Sequence, residues 1–180
     1  MQRKVSVNLG NLVLSLSDAM DLASPSLAQH QQRTAFIVWE MGKAARLSEE
    51  RLEKNFMAAL LHDIGALSVE EKISLHNFEI KDAETHCIRG EFLLEKVPWL
   101  KDEAQIIRFH HREWQEQKEP IETHFVFESQ VLALADYLER LINRNQYILH
   151  QHEDIISKIK SHTNSLFHSH IVELLLTASD

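Results

Sequence analysis

Seven residues of this 180-residue sequence carry side chains suited to holding metal: His30, the adjacent pair His62-Asp63, His86, the adjacent pair His110-His111, and Asp136. Imidazoles and carboxylates in this ratio suit one or two first-row transition metal ions. Two of the seven stand out singly. Asp63 directly follows the apolar run Phe56–Leu61, and a carboxylate there is costly unless it is paired or coordinates a metal. Asp136 sits inside Val131-Leu132-Ala133-Leu134-Ala135-Asp136-Tyr137-Leu138, and its alternative partner is Arg140, four residues on along a helix. The others have ordinary readings when taken alone. His62 reads as a helix C-terminal histidine, His110-His111 as a chance pair on a solvated face, and His30 and His86 as mid-helix residues.

Nearly every segment that must position these residues reads as helix. Apolar residues recur at helical spacing from Leu9 to Ala23. Ser24-Pro25 has the form of an N-cap followed by proline at the first helical position, predicting a helix from about Pro25 to Arg46. Ser48 opens another that ends near Gly65. Ser68-Val69-Glu70-Glu71 fits a capping box opening a short helix. Helices follow over Asp82–Val97, from Asp102 to about Trp114, and over Ser129–Asn143, with residues 115–124 as a polar break. Two amphipathic segments, 151–161 and 165–177, close the chain. No repeat, low-complexity tract or linker appears, so residues 1–180 read as one all-α domain.

Composition narrows the function classes. The formal net charge of −8 argues against broad nucleic-acid binding, which needs a basic footprint. It leaves room for a small anionic substrate held by metal ions and local cations. A lone cysteine, Cys87, allows no internal disulfide and fits a reducing cytoplasm. The start, Met1-Gln2-Arg3-Lys4, leads into Val5-Ser6-Val7-Asn8 rather than an apolar signal core. No stretch approaches the roughly 18 apolar residues that span a bilayer, so no membrane association is expected.

The joint pattern is more telling than its members. Separations from His30 to His62, Asp63 to His86, His86 to His110, and His111 to Asp136 are 32, 23, 24 and 25 residues. Each is about one helix-turn-helix, so an antiparallel bundle returns one point on each helix to a common level.

This order resembles the HD superfamily of metal-dependent phosphohydrolases, and within it the HD-GYP branch. The matching text is Leu60-Leu61-His62-Asp63-Ile64-Gly65, Thr85-His86 with Gly90, His110-His111 followed by Trp114, and Ala133-Leu134-Ala135-Asp136. The resemblance covers roughly residues 25–175 and implies an HD-domain helical bundle with a dinuclear site. Asp63 would bridge two divalent ions, iron or manganese. His30, His62 and Asp136 would complete one ion, and His86, His110 and His111 the other. The implied activity is hydrolysis of cyclic di-GMP or a related nucleotide by a metal-bridging hydroxide, with His62 and Asp63 at the catalytic centre. Arg144 and Tyr147 correspond to the branch's substrate-binding Arg-Pro-Tyr segment, with the arginine displaced by one.

Other elements of the branch are absent. Its lysine after HD-x-G is Ala66 here. Its HH-E-x-x-D-G-x-G-Y-P signature is replaced by His110-His111-Arg112-Glu113-Trp114-Gln115-Glu116-Gln117-Lys118-Glu119-Pro120. The carboxylate some members use for a third metal falls at Ser26, which points to two ions. The rival functions are therefore a metal-binding signalling module without turnover and a di-iron HD-domain oxygenase. A homodimer and association with a sensory partner are both compatible with the chain. The histidines at 76, 124, 150, 152, 162, 168 and 170 read as surface residues, and Cys87 as a small buried side chain rather than a ligand.

Overall fold

The computed structural model describes residues 8–22, 24–79 and 83–178, apart from the side chain of Ser26. The expected helix ends at Ala23 and Asp82 lie outside these residues. The architecture is the expected all-α bundle: α1 Leu9–Asp21, α2 His30–Ala44, α3 Glu49–Leu61, α4 Val69–His76, α5 Glu84–Leu94, α6 Lys101–Phe109, α7 Val126–Leu141, α8 Ile148–Ser161 and α9 Ser169–Ala178. None of the described helices is long and apolar enough to cross a membrane.

Helix α7 is the axis of the core. Val131, Leu132, Leu134 and Ala135 are fully enclosed, against Ala35 and Val38 of α2, Ala58 and Leu61 of α3, and Ile107 of α6. Burying such side chains gives roughly 1.5–3 kcal/mol each, and this is what brings α2, α3, α6 and α7 together around one level.

Local signals explain most helix starts. Ser48 caps α3 by accepting from the Arg51 amide at 3.4 Å, and Ser68 caps α4 by accepting from the Glu71 amide at 3.1 Å. The reciprocal half of the second box is shifted by one residue, because the Glu71 carboxylate accepts from the Leu67 amide.

The helix expected from Pro25 is corrected. Pro25–Leu27 form only a 3-10 turn, Gln29 takes a left-handed backbone (φ 62°), and α2 begins at His30. The first turn of α2 has no local cap. Asp21, at the end of α1, supplies one by accepting from the Gln31 amide at 3.1 Å, a favourable place for a carboxylate at a helix N-terminus. His30 is therefore the first residue of its helix rather than a mid-helix residue, and His86 lies in the first turn of α5. Helix α6 stops at Phe109, short of the expected Trp114, which instead opens a separate 3-10 turn, Trp114–Glu116.

One close approach fixes the register of α5. A Cβ on Gly65 would lie 2.0 Å from the His86 carbonyl oxygen and 2.5 Å from the Gly90 amide nitrogen. Only glycine lets the chain after Asp63 lie directly on the helix that carries His86.

Candidate metal centre

The two adjacent pairs share a construction. Helix α3 ends at Leu61 with His62 as its C-cap, and α6 ends at Phe109 with His110 as its C-cap. The last carbonyls of a helix lack intrahelical donors. His62 Nδ1 donates to the Ala59 carbonyl at 2.8 Å, and His110 Nδ1 donates to the Ile107 carbonyl at 2.7 Å. A carbonyl only accepts, so each ring carries a proton on Nδ1 and turns Nε2 toward the centre. Both Nε2 atoms are buried without a hydrogen-bond partner. Because the helix ends there, the next residue, Asp63 or His111, turns toward the same centre instead of diverging along a helix face.

His30 is oriented in the same sense from another source. Its Nδ1 hydrogen-bonds the buried carboxylate of Glu139, which also accepts from Arg33 Nε at 2.8 Å and from Arg144. That leaves His30 Nε2 facing Asp136 Oδ1 at 3.3 Å and Asp63 Oδ2 at 3.7 Å. His62 Nε2 lies 3.5 Å from Asp63 Oδ2 and 3.6 Å from Asp136 Oδ1. Four ligand atoms from α2, α7 and the end of α3 thus converge. Atoms bound about 2.1 Å from one ion sit roughly 3.0–3.5 Å apart, so this group fits a metal with little adjustment.

Asp63 reaches the other way with its second oxygen. Oδ1 lies 3.4 Å from His86 Nε2, while Oδ2 accepts from Gln31 Nε2 at 3.1 Å. The His110 ring is 5.3 Å from that of His86, and the His111 ring is 4.9 Å from His86 and 4.2 Å from His110. All seven side chains singled out in the sequence therefore meet in one region, with Asp63 between two imidazole groups. The orphaned Nε2 atoms and the mixed nitrogen and oxygen donors fit metal ions.

Cys87 fills space behind this second group. Its thiol donates to the Ala83 carbonyl at 3.4 Å, and Sγ is 3.5 Å from His110 Nδ1 and 3.8 Å from His86 Nε2. Burial pushes the thiol pKa up, and Asp63 adds to the effect; the side chain is buried as expected, and with His86 and His110 it also forms a group of potential ligands.

The electrostatics divide the histidines. Burial disfavours a charged His30, but its hydrogen bonds to Asp136 and Glu139 outweigh burial and raise it to about 10. His62 is likewise raised, because Asp63 and Asp136 overcome its burial. Burial lowers His110 to about 3, with His86 and His62 adding to the effect, and it also lowers His86 and His111. Burial works against the charged form of Asp63 and of Asp136, yet both are held ionised: Asp63 by His62 and His86, Asp136 by Arg140 and His30. Ionised carboxylates beside the uncharged rings of His86, His110 and His111 are chemically ready for cations, and a cation on the other side would displace the protons of His30 and His62.

Sequence reasoning missed three neighbours, Glu139, Gln31 and His76, and named a fourth, Arg140, only as a rival to ligation. Glu139 lies one helical turn after Asp136 on the same face of α7, a spacing that could have placed it beside the same centre. Arg140, considered as a rival partner for Asp136, does pair with it: Nη2 meets Asp136 Oδ2 at 2.8 Å and leaves Oδ1 for the histidines. Gln31 gave no sequence signal. His76, expected on the surface, is half-buried with its ring 5.2 Å from His30, and His30, His76 and Glu139 form a third group of potential ligands. That correction depends on how α4 docks, which its own sequence does not encode.

A cavity of about 400 Å³ opens on His110 and His111 and is walled by Phe78, Tyr137, Arg140 and Phe167. Arg144 lies elsewhere, ion-paired to Glu139, and Tyr147 is 63% exposed with its ring against His150. Neither lines this cavity.

A helical bundle that gathers histidines and aspartates in this order defines a class, and the chain belongs to the HD domain family, which matches residues 15–164. Among curated proteins it is similar to the 3'3'-cGAMP-specific phosphodiesterase 1 of Vibrio cholerae, at 29% identity over 147 residues, covering 79% of this chain and 34% of that protein. Among solved structures, a cyclic GMP-AMP-specific phosphodiesterase of V. cholerae shares the fold with a TM-score of 0.69 at 21% identity, over 95% of this chain and 48% of that one. The chain thus spans about a third of the curated relative's length.

Proposed function

We propose that this chain is a metal-dependent phosphodiesterase of the HD-GYP type, hydrolysing a cyclic dinucleotide such as cyclic di-GMP or the 3'3'-cGAMP that its curated relative's name carries. The observation that carries this reading is the division of Asp63, with Oδ2 toward His30 and His62 and Oδ1 toward His86. That is the placement a carboxylate needs to serve two ions. His30, His62, Asp63 and Asp136 would hold one ion, and Asp63, His86, His110 and His111 the other, with iron or manganese suited to these donors. When bound, such a pair supplies Lewis acidity toward a phosphoryl oxygen and lowers the pKa of water.

The chain's own residues supply the rest. Glu139 and the two helix-end carbonyls hold three imidazoles in register. Arg140 keeps Asp136 aimed inward and adds positive charge beside the cavity, where an anionic phosphodiester would approach. Arg144 and Tyr147, outside the cavity wall, are candidates for contacting parts of a larger nucleotide that extend past it.

The test is to incubate iron- or manganese-loaded protein with cyclic di-GMP and 3'3'-cGAMP and to resolve linear products by chromatography, with Asp63→Ala as control. Linear dinucleotide from the wild type alone is expected. No product from either substrate, with both metals verified, overturns the reading. Tight binding without product would mark a signalling module instead.

A further inference from the structure

We infer that Phe78 is a nucleobase-stacking residue at the mouth of the metal-site cavity, and so helps set which phosphodiesters this chain accepts. This rests on the phosphodiesterase reading above and specifies its substrate contact. Helix α4 ends at His76 with Asn77 as its C-cap, and Phe78 follows with φ 59°. The position just past a helix C-cap is commonly left-handed and usually occupied by glycine, which avoids the Cβ penalty. A bulky residue held there is an outlier, and such outliers concentrate at functional sites.

Burial does not account for the choice, because Phe78 is 44% exposed. Its surroundings instead resemble a reception site for an aromatic anion. The ring stands on Tyr137 at 5.3 Å between centroids, and Tyr137 in turn stands on Phe167 at 5.3 Å. Both supporting rings are buried, so the platform is stiff. The Arg140 guanidinium lies 4.2 Å from the Phe78 centroid and the Lys158 ammonium 5.7 Å. Arg140 is itself fixed by the Leu75 carbonyl at 2.7 Å and by Asp136, and its buried Nε has no partner. Phe78, Tyr137, Phe167 and Arg140 line the cavity that opens on His110 and His111. A partly exposed ring with two cations over it, one directly linked to a candidate metal ligand, suits a base whose attached phosphate reaches the metals. Stacking tolerates any base, so the feature selects nucleotides over base-free phosphodiesters rather than one base over another.

The test uses the metal-loaded chain and a hydrolysis-resistant phosphorothioate cyclic dinucleotide, with affinity read by calorimetry. Phe78→Leu keeps an apolar side chain and removes the π-face; Phe78→Trp keeps the face. The expected result is a loss of about 5- to 150-fold for Phe78→Leu, near-wild-type affinity for Phe78→Trp, and a rise in KM larger than any fall in kcat for the leucine variant. Thermal melts confirm that both variants fold. Wild-type affinity in Phe78→Leu overturns the stacking role while leaving the phosphodiesterase reading intact. Equal losses in both variants also overturn it, because shape rather than the ring would then be at stake. A wild type that neither binds nor cleaves cyclic dinucleotides overturns both.

Discussion

Asp63 turns Oδ1 toward His86 Nε2 at 3.4 Å while its other oxygen faces His30 and His62. One side chain on the turn after α3 thereby joins two groups of ligands drawn from four other helices. Asp63→Asn keeps the shape and removes the charge. We predict that it lowers bound metal in both groups and cuts turnover by at least about 100-fold, the upper end of what loss of an outer-shell partner costs. Metal analysis of purified protein checks the first effect and product formation the second.

Glu139 acts through His30. Its carboxylate is held at about 2, because His30 and Arg33 together outweigh its burial. Glu139→Gln removes that charge from His30, and metal affinity should fall by about 10- to 100-fold. Glu139→Ala should fall further, because Arg33 and Arg144 lose their common partner. Competition titration against a chelating dye measures both.

Gly65 is a packing constraint on the centre. Gly65→Ala would set a methyl group against the backbone of α5 at His86 and Gly90. Backbone cannot yield as a side chain does, so the cost should exceed the roughly 1–3 kcal/mol of ordinary overpacking. A lowered midpoint in urea together with reduced metal content is the expected pair of results.

Asp21 predicts a pH dependence. Burial raises its pKa from 3.8 to about 6, against the opposing hydrogen bond from the Gln31 amide. A carboxyl raised on folding favours the folded state while protonated in both states, below about pH 4. That contribution is lost as pH rises through 6, and the difference amounts to about 3 kcal/mol at most. Asp21→Asn keeps an acceptor for the amide and does not ionise. It should be more stable than wild type above pH 6 and indistinguishable from it below pH 4, as read by urea denaturation of metal-free protein.

Metal removal should soften the bundle. Ions that bind the folded chain stabilise it by mass action, about 2.7 kcal/mol at a hundredfold excess over Kd. Chelation is expected to lower Tm, and manganese or iron to restore it. The same additions should leave Tm unchanged in Asp63→Asn.

The sequence was most legible where a residue type conflicted with its surroundings. Asp136 within an apolar helix and Asp63 after an apolar run pointed to the centre, and the even spacing supplied the rest of the set. Helix limits were less legible. Ser24-Pro25 looked like a start, yet the cap for α2 comes from Asp21, ten residues away and on another helix. The adjacent pairs do not lie on helix faces, because α3 ends at Leu61 and α6 at Phe109, four and five residues before the expected ends near Gly65 and Trp114. His76 could not be placed, since its approach to His30 depends on the docking of α4 rather than on local propensity. Phe78 left no trace, because a positive φ at phenylalanine runs against its intrinsic preference.

The helix-end carbonyls under His62 and His110 have a kinetic consequence. Each ring arrives at the centre with Nε2 already turned inward, so neither has to turn over. Burial keeps the His110 ring uncharged, and an incoming cation there has no proton to evict. At His62 the cation displaces the proton that Asp63 and Asp136 favour, so loading of that side is tied to proton release.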